Sequence, residues 1–411
     1  MDSTFDVIDV NHIDLMAELL GTFEHKVPLF IWGPPGIGKS YSAVEACRRR
    51  AKAGKKLFAP WNRLPNSVRH ALAEDTAVNK DKLGMLAAMP ENAALLEKHE
   101  GPWPVQDIFI FGDMRLAQRD ASDLNGLPML SAGNFVEWRP QLLFLVLSRQ
   151  EIEGMLLLDE IPQALPIVQN AAYQIIQDRA SGELTFSDQL AIVGAGNRLT
   201  DGGTQYQMPP ALANRFVHTE LIPPSAEQFA DWGIDYGIDS RIISFIRFRP
   251  QLLMDQMDVV RKNRAMAWGS PRSWEKASTM IQGITSDDKA GLNHVYRRVS
   301  MAVGKSKAIE LRAFLESIQK LDLKAILADP SKVGELDLGL KWALITGLAE
   351  YYRAHKSALD EILGVCEKLE PDFSASMLRM IRRYDRSQFA TRLLKCPRKQ
   401  VALGLLPYFE D

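Results

Sequence analysis

The sequence predicts an α/β fold: a parallel sheet flanked by helices, followed by an α-helical lid and a helical C-terminal extension. Three observations predict it. Residues 29–32 form a short apolar run suited to a buried strand, and they lead through a glycine-rich loop at 33–40 into a helix-forming stretch at 41–52. Further apolar runs at 107–112, 155–158 and 191–195, with one more strand at 217–221, alternate with helical patterns, as strands of a sheet covered on both faces do. Beyond Pro223 the strand signals stop and helical periodicity takes over.

Taken in order, residues 1–20 read as an N-terminal segment. Asn11 is placed to cap a short helix reaching about residue 20, with Ile13, Leu15, Met16, Leu19 and Leu20 on its apolar side. The α/β core is expected at 21–222. Within it, residues 51–106 are rich in Ala, Lys, Glu, Asn and Pro. They read as a surface insertion of short helices broken at Pro60, Pro65, Pro90, Pro102 and Pro104. Residues 127–130 and 134–138 flank Ser131-Ala132-Gly133, which suits a hairpin, and 182–187 looks like an arm of a second one. A helix is expected at 169–178. The lid is placed at 223–320, with helices near 226–232, 241–248, 274–284, 294–303 and 307–321. The extension at 321–411 opens with a helix near 340–356.

Composition bounds the class. At 411 residues the chain can bury a large core, and its 46% hydrophobic and 24% charged residues are ordinary for a globular protein. A formal net charge of −2 gives no whole-molecule attraction to nucleic acid or anionic lipid. Cys47, Cys366 and Cys396 lie far apart without metal-ligand spacing, which fits a reducing compartment. No apolar run approaches the ~20 residues of a membrane-spanning helix. The first residues carry acid where a signal peptide would carry base. A cytoplasmic protein with no membrane partner is expected.

The chemistry begins in the glycine loop. Gly33, Pro34, Pro35, Gly36, Ile37, Gly38, Lys39 and Ser40 fit G-x-x-x-x-G-K-[ST] without a departure, between a strand and a helix. Glycine at 36 and 38 lets backbone N–H groups turn toward phosphate oxygens, and the new helix aims its positive end at the same anion. Lys39 can reach the β- and γ-phosphates of ATP, Ser40 can ligate Mg²⁺, and Tyr41 completes the set of candidate nucleotide contacts. Two carboxylates, Asp159 and Glu160, follow the apolar run at 155–158, where ligands bind at the C-terminal edge of such a sheet. Asp159 is expected to hold Mg²⁺ with Ser40, and Glu160 to orient and deprotonate the attacking water. Asn197 ends the next strand and suits a water-positioning role. Arg215, in Asn214-Arg215-Phe216, could reach a neighbouring subunit's γ-phosphate. In Ser270-Pro271-Arg272, a serine cap and a first-turn proline would hold Arg272 rigidly toward phosphate.

As a set, Trp-Gly-Pro-Pro-Gly-Ile-Gly-Lys-Ser, Leu-Leu-Leu-Asp-Glu-Ile-Pro, Gly-Ala-Gly-Asn-Arg, Ala-Leu-Ala-Asn-Arg-Phe and Gly-Ser-Pro-Arg resemble the P-loop NTPases of the AAA+ class. They resemble its MoxR-like, helix-2-insert branch most. The likeness runs from about residue 25 to 320 in family order. It implies Walker B positions at Asp159 and Glu160, sensor 1 at Asn197, the trans-acting arginine finger at Arg215, with Arg198 as a nearby competitor, and sensor 2 at Arg272. It also implies a homo-oligomeric ring, usually hexameric, with ATP and Mg²⁺ between subunits and a protein partner carrying a von Willebrand factor A domain. The hairpins near 127–138 and 182–190 would be the inserts facing a partner or the pore. The 51–106 insertion departs from the compact family pattern.

Three functions are open at this point: a chaperone-like remodeller of a protein partner, a DNA- or RNA-acting motor, and a slow nucleotide-gated scaffold. The first is expected, because residues 127–138 hold no Lys or Arg and 182–188 carry Glu183 and Asp188, where a nucleic-acid-tracking loop should present cations. The contrary sign is a basic run of Arg379, Arg382, Arg383, Arg386, Arg392, Lys395, Arg398 and Lys399, which reads first as a solvated helix face.

Overall fold

Seven strands align in parallel in the order β1-β11-β2-β10-β7-β4-β3, and the central apolar runs among them are covered on both faces. This is a computed structural model. It describes residues 7–405 and 407, apart from 75, 79–82, 84, 85, 87, 88, 100, 131–135, 203–205, 287, 386 and 406. The strands are β1 (Ile8–Val10), β2 (Leu29–Trp32), β3 (Leu57–Pro60), β4 (Ile108–Arg115), β7 (Glu153–Asp159), β10 (Leu190–Ala195) and β11 (Val217–Leu221). Two antiparallel pairs stand apart from the sheet: β5 (Leu127–Leu130) with β6 (Val136–Arg139), and β8 (Ala180–Ser181) with β9 (Leu184–Thr185).

The chain divides into two units, Met1–Pro223 and Pro224–Asp411. In the first, the helices are α1 (His12–His25), α2 (Lys39–Ala53), α3 (Asn66–Ala73), α4 (Pro90–Lys98), α5 (Ala121–Asn125), α6 (Leu142–Leu147), α7 (Pro166–Gln177) and α8 (Pro210–Ala213). Every residue of β2 and β10 is buried, as are Gly154 to Leu158 of β7. Register sets the functional edge. Phe30, Gly194, Leu158 and Met114 lie level across four adjacent strands, so the residues that follow each of them emerge together at the C-terminal end.

Several expectations need correction. The N-terminal segment is part of the sheet: β1 pairs with β11, and the Asn11-capped helix continues to His25 rather than residue 20. Its cap is as expected, with the Asn11 side chain accepting from the Ile13 and Asp14 N–H groups, but Ile13 faces solvent. The 51–106 stretch is not simply a surface addition. Leu57–Pro60 is the edge strand β3, and Trp61, Leu64, Val68, Leu72, Leu96 and Trp103 are buried. A run of three apolar residues ending in proline is too short to show a period, and proline is tolerated there because the strand lies at an edge. β4 runs three residues past the expected 112, which carries Asp113 and Arg115 into the sheet. The first hairpin closes one residue later than expected, at Arg139, and its tip lies outside the described residues.

Every element of the second unit among its described residues is a helix. Its longer helices are α9 (Ala226–Tyr236), α10 (Ser240–Phe248), α11 (Pro271–Ile281), α12 (Lys289–Val303), α13 (Lys305–Lys320), α14 (Leu338–Ala354) and α15 (Pro371–Tyr384). One buried cluster runs from Ala226 to Leu405, with α14 packed against α10, α13 and α15. The segments on either side of residue 320 thus share a single core. No helix among the described residues is long and apolar enough to cross a membrane.

Candidate functional site

The loop between β2 and α2 is shaped by its glycines. Gly33, Gly36 and Gly38 have φ of 145°, 87° and 108°, the region that L side chains avoid. A Cβ on Gly33 would sit 2.7 Å from the Leu221 carbonyl oxygen, so the close approach of β11 also demands glycine there. Gly38 caps α2, which then opens with Lys39, Ser40 and Tyr41 just past the loop.

Side chains from the start of α2, the end of β7 and the segment just past β10 converge on this loop. Lys39 is 8% exposed, and its Nζ donates to the Gly33 carbonyl at 2.6 Å, the Pro34 carbonyl at 3.0 Å and Asn197 Oδ1 at 2.8 Å. Ser40 Oγ donates to Asp159 Oδ2 at 2.8 Å. The Glu160 N–H donates to Asp159 Oδ1 at 2.9 Å, which aims one carboxylate oxygen at the backbone and the other at Ser40. Glu160 itself has φ 60° and ψ 33°, a left-handed conformation costing a non-glycine residue on the order of 1 kcal/mol. Strain of this kind persists where the surroundings over-determine it, commonly at functional sites. The structure therefore brings together Lys39, Ser40, Asp159, Glu160 and Asn197, the first and last of them 158 positions apart in the sequence.

The arginines fare differently. Arg198 is committed within its own unit, to Asp201 at 3.1 Å and to Glu220. Arg215 lies just past α8, donates to the Ala211 carbonyl and rests 4.6 Å from the ring centroid of Tyr173 on α7. It does not join the cluster around Lys39 through any hydrogen bond among the described residues. Arg272 belongs to the second unit. There Ser270 Oγ accepts from the Ser273 N–H at 3.2 Å, Pro271 opens α11 as expected, and Arg272 is exposed in the first turn.

Two residues of this region escaped the sequence reading. Asp113 lies near the C-terminal end of β4, on the strand beside that of Asp159, and its Oδ1 is buried without a hydrogen bond. Burial first, then the charges of Asp159 and Glu160, push its carboxyl above the ordinary range, with Arg115 opposing. Its only sequence signal was that β4 could extend past Gly112. The other is His12, in the first turn of α1, whose Nε2 lies 2.8 Å from the Ile37 carbonyl. A carbonyl can only accept, so Nε2 carries the proton, and burial lowers the histidine pKa. Nothing local in the sequence announces that contact.

In chemical terms, the loop offers backbone donors, a lysine and a helix N-terminus to a polyphosphate. Ser40 and Asp159 offer hard oxygens in hydrogen-bond contact, the donor set that Mg²⁺ prefers.

No family model matches the chain, and no curated protein matches it. Among solved structures it is similar to a mutant of Thermotoga maritima RuvB, at 13% identity over 78% of this chain and 75% of that one, with a TM-score of 0.30. NtrX from Brucella abortus in complex with ATP is similar at 14% identity over 93% and 69%, TM-score 0.32. The Aeropyrum pernix ORC2 protein is similar at 11% identity over 96% and 98%, TM-score 0.30. Likenesses at such scores lend no weight to a function, which must come from the site itself.

Proposed function

We propose that this chain is an AAA+ ATPase of the MoxR-like type, hydrolysing Mg-ATP in a homo-oligomeric, hexameric ring to remodel or assemble a protein partner. The observation that carries the reading is the convergence of Lys39, Ser40, Asp159 and Asn197 at the ends of three adjacent parallel strands. Gly33 to Tyr41 would cradle the phosphates, with Lys39 leaving the Gly33 and Pro34 carbonyls to meet the β- and γ-oxygens. Bound Mg²⁺ would be held by Ser40 and Asp159 and would neutralise charge on the phosphates. Glu160 orients the attacking water and takes its proton, and Asn197 fixes that water from the neighbouring strand. Arg215 serves a neighbouring subunit's γ-phosphate, a role supported by the commitment of its competitor Arg198 to Asp201 and Glu220. Arg272 would act as the second sensor.

A protein partner is favoured over nucleic acid by two surfaces. Pro128, Leu130, Val136 and Trp138 pair on one face of the first hairpin, and Leu130, Val136 and Trp138 are exposed. Arg139 opposite Leu127 adds one cation at the hairpin's base, outside the cation-free window. Three of the eight cations of the basic C-terminal run are spent internally: Arg379 pairs with Asp231, Arg392 with Asp385, and Arg398 with Asp360. A von Willebrand factor A protein remains the expected partner by family likeness. The test is ATP turnover and ring mass with and without ATP. Turnover by a ring, abolished in Lys39→Ala together with nucleotide binding, is expected, and a monomer that neither binds nor hydrolyses ATP would end the reading.

A further inference from the structure

Between the phosphate loop and Arg215 runs a short hydrogen-bonded chain that the site chemistry leaves unused. Trp32, the last residue of β2, immediately precedes Gly33. Its Nε1–H lies 3.0 Å from His218 Nδ1 on the adjacent strand β11, and His218 Nε2 lies 2.8 Å from the Ala213 carbonyl. An indole N–H can only donate and a carbonyl can only accept. His218 is therefore fixed as the neutral Nε2–H tautomer, accepting from Trp32 and donating to Ala213. The Ala213 carbonyl also accepts the Phe216 N–H at 3.1 Å, so it closes the turn on which Arg215 sits.

The surroundings hold these rings in place. Trp32 and His218 stack with centroids 6.1 Å apart, and Phe30 lies edge-on to Phe216 at 5.3 Å. Gly194 on β10 makes the room, since a Cβ there would lie 2.7 Å from the Phe30 ring. A close-packed cluster with fixed tautomers transmits a shift of one member to the next, because it cannot absorb the displacement.

We propose that His218 is a positioning residue linking the two ends: Trp32 at the mouth of a subunit's own phosphate loop, and the turn that presents Arg215 to the neighbouring site. The presentation of the arginine then depends on the nucleotide loop of the subunit that carries it. This rests on the proposed trans role of Arg215.

The test uses the full chain. His218→Phe keeps a ring against Phe30 and Phe216 but loses both hydrogen bonds, Trp32→Phe loses only the donor, and His218→Gln offers an acceptor and a donor again. The expected results are a fall in kcat of about fivefold for each Phe variant, with nucleotide Kd unchanged. The double variant should be no worse than either single, and Gln should recover most of the loss. In mixed rings, Arg215→Ala subunits should be rescued by Glu160→Gln subunits, and rescued less by subunits carrying Glu160→Gln and His218→Phe together. Additive losses, or equal rescue by both partners, would overturn the link while leaving the finger in place. Full activity of Arg215→Ala would remove the finger and the link with it. Circular dichroism and urea midpoints confirm that the variants fold.

Discussion

The phosphate-loop edge of the sheet and two networks inside the helical unit treat their polar groups in opposite ways, even though that unit also buries Ser244 Oγ and Arg247 Nε without hydrogen bonds. In these two networks, buried polar groups close on one another. Arg241 meets both oxygens of Asp239 at 2.9 and 2.8 Å and also the Ile281 and Ile284 carbonyls. Ser240 and Tyr384 both donate to Glu350, at 2.7 and 2.6 Å, and burial followed by Glu350 pushes the Tyr384 hydroxyl pKa well up. At the sheet edge, Asp113 Oδ1 and His12 Nδ1 are buried without partners, Glu160 holds a strained backbone, and Lys39 is satisfied by its own loop. Closed networks fix a fold, and groups left open or strained are stability withheld for a ligand.

The sharpest way to break that contrast is at Glu160. Glu160→Gln should cut ATP turnover by about 10²–10⁴-fold while nucleotide binding survives, and fluorescent-nucleotide titration beside phosphate release measures both. Equal loss of affinity would make Glu160 a binding group and erase its distinction from Lys39. On the other side, Arg241→Ala strands the nearly buried Asp239 carboxylate. It should cost about 3–5 kcal/mol of unfolding free energy in denaturant titration, without altering nucleotide affinity in the folded fraction. A near-neutral effect would mean that the helical unit's networks are ornamental.

How much of this was legible follows from the same contrast. The phosphate loop, the Asp159-Glu160 pair and the strand-helix alternation were readable because each is a local pattern: fixed spacing, an apolar run, a turn. The seven-residue β7 and six-residue β10 announce themselves by length of apolar run. By contrast, β1 and β3 are edge strands of three and four residues, made by pairing rather than by pattern. Asp113 and His12 enter the site through register and helix packing, contacts across 46 and 25 positions that no window contains. The Trp32–His218 bond spans 186 positions and is invisible for the same reason.

A smaller effect sharpens the comparison at Asp113. Asp113→Asn removes a buried carboxylate that Asp159 and Glu160 repel, so stability should rise by on the order of 1 kcal/mol while ATPase activity falls. Thermal unfolding paired with turnover reads the two signs together. A loss of stability would place Asp113 with the closed networks instead.

The smallest expected effect belongs to His12. Its folded-state pKa lies below the ordinary 6.5, because burial disfavours the cation and Nδ1 has no acceptor to receive a second proton. As pH falls through 6.5 the unfolded chain takes up a proton that the folded chain refuses, so the contribution present above that pH is lost below it. The slope is at most about 1.4 kcal/mol per pH unit, and it ends where the folded histidine itself titrates. His12→Gln keeps an N–H for the Ile37 carbonyl but cannot titrate. Urea midpoints at pH 7.5 and 5.5 should therefore differ more in the natural chain than in the variant. Nucleotide affinity should follow the same order, because protonation at position 12 works against the helix that touches the phosphate loop. Identical pH slopes in the two proteins would show that α1 braces the loop by packing alone.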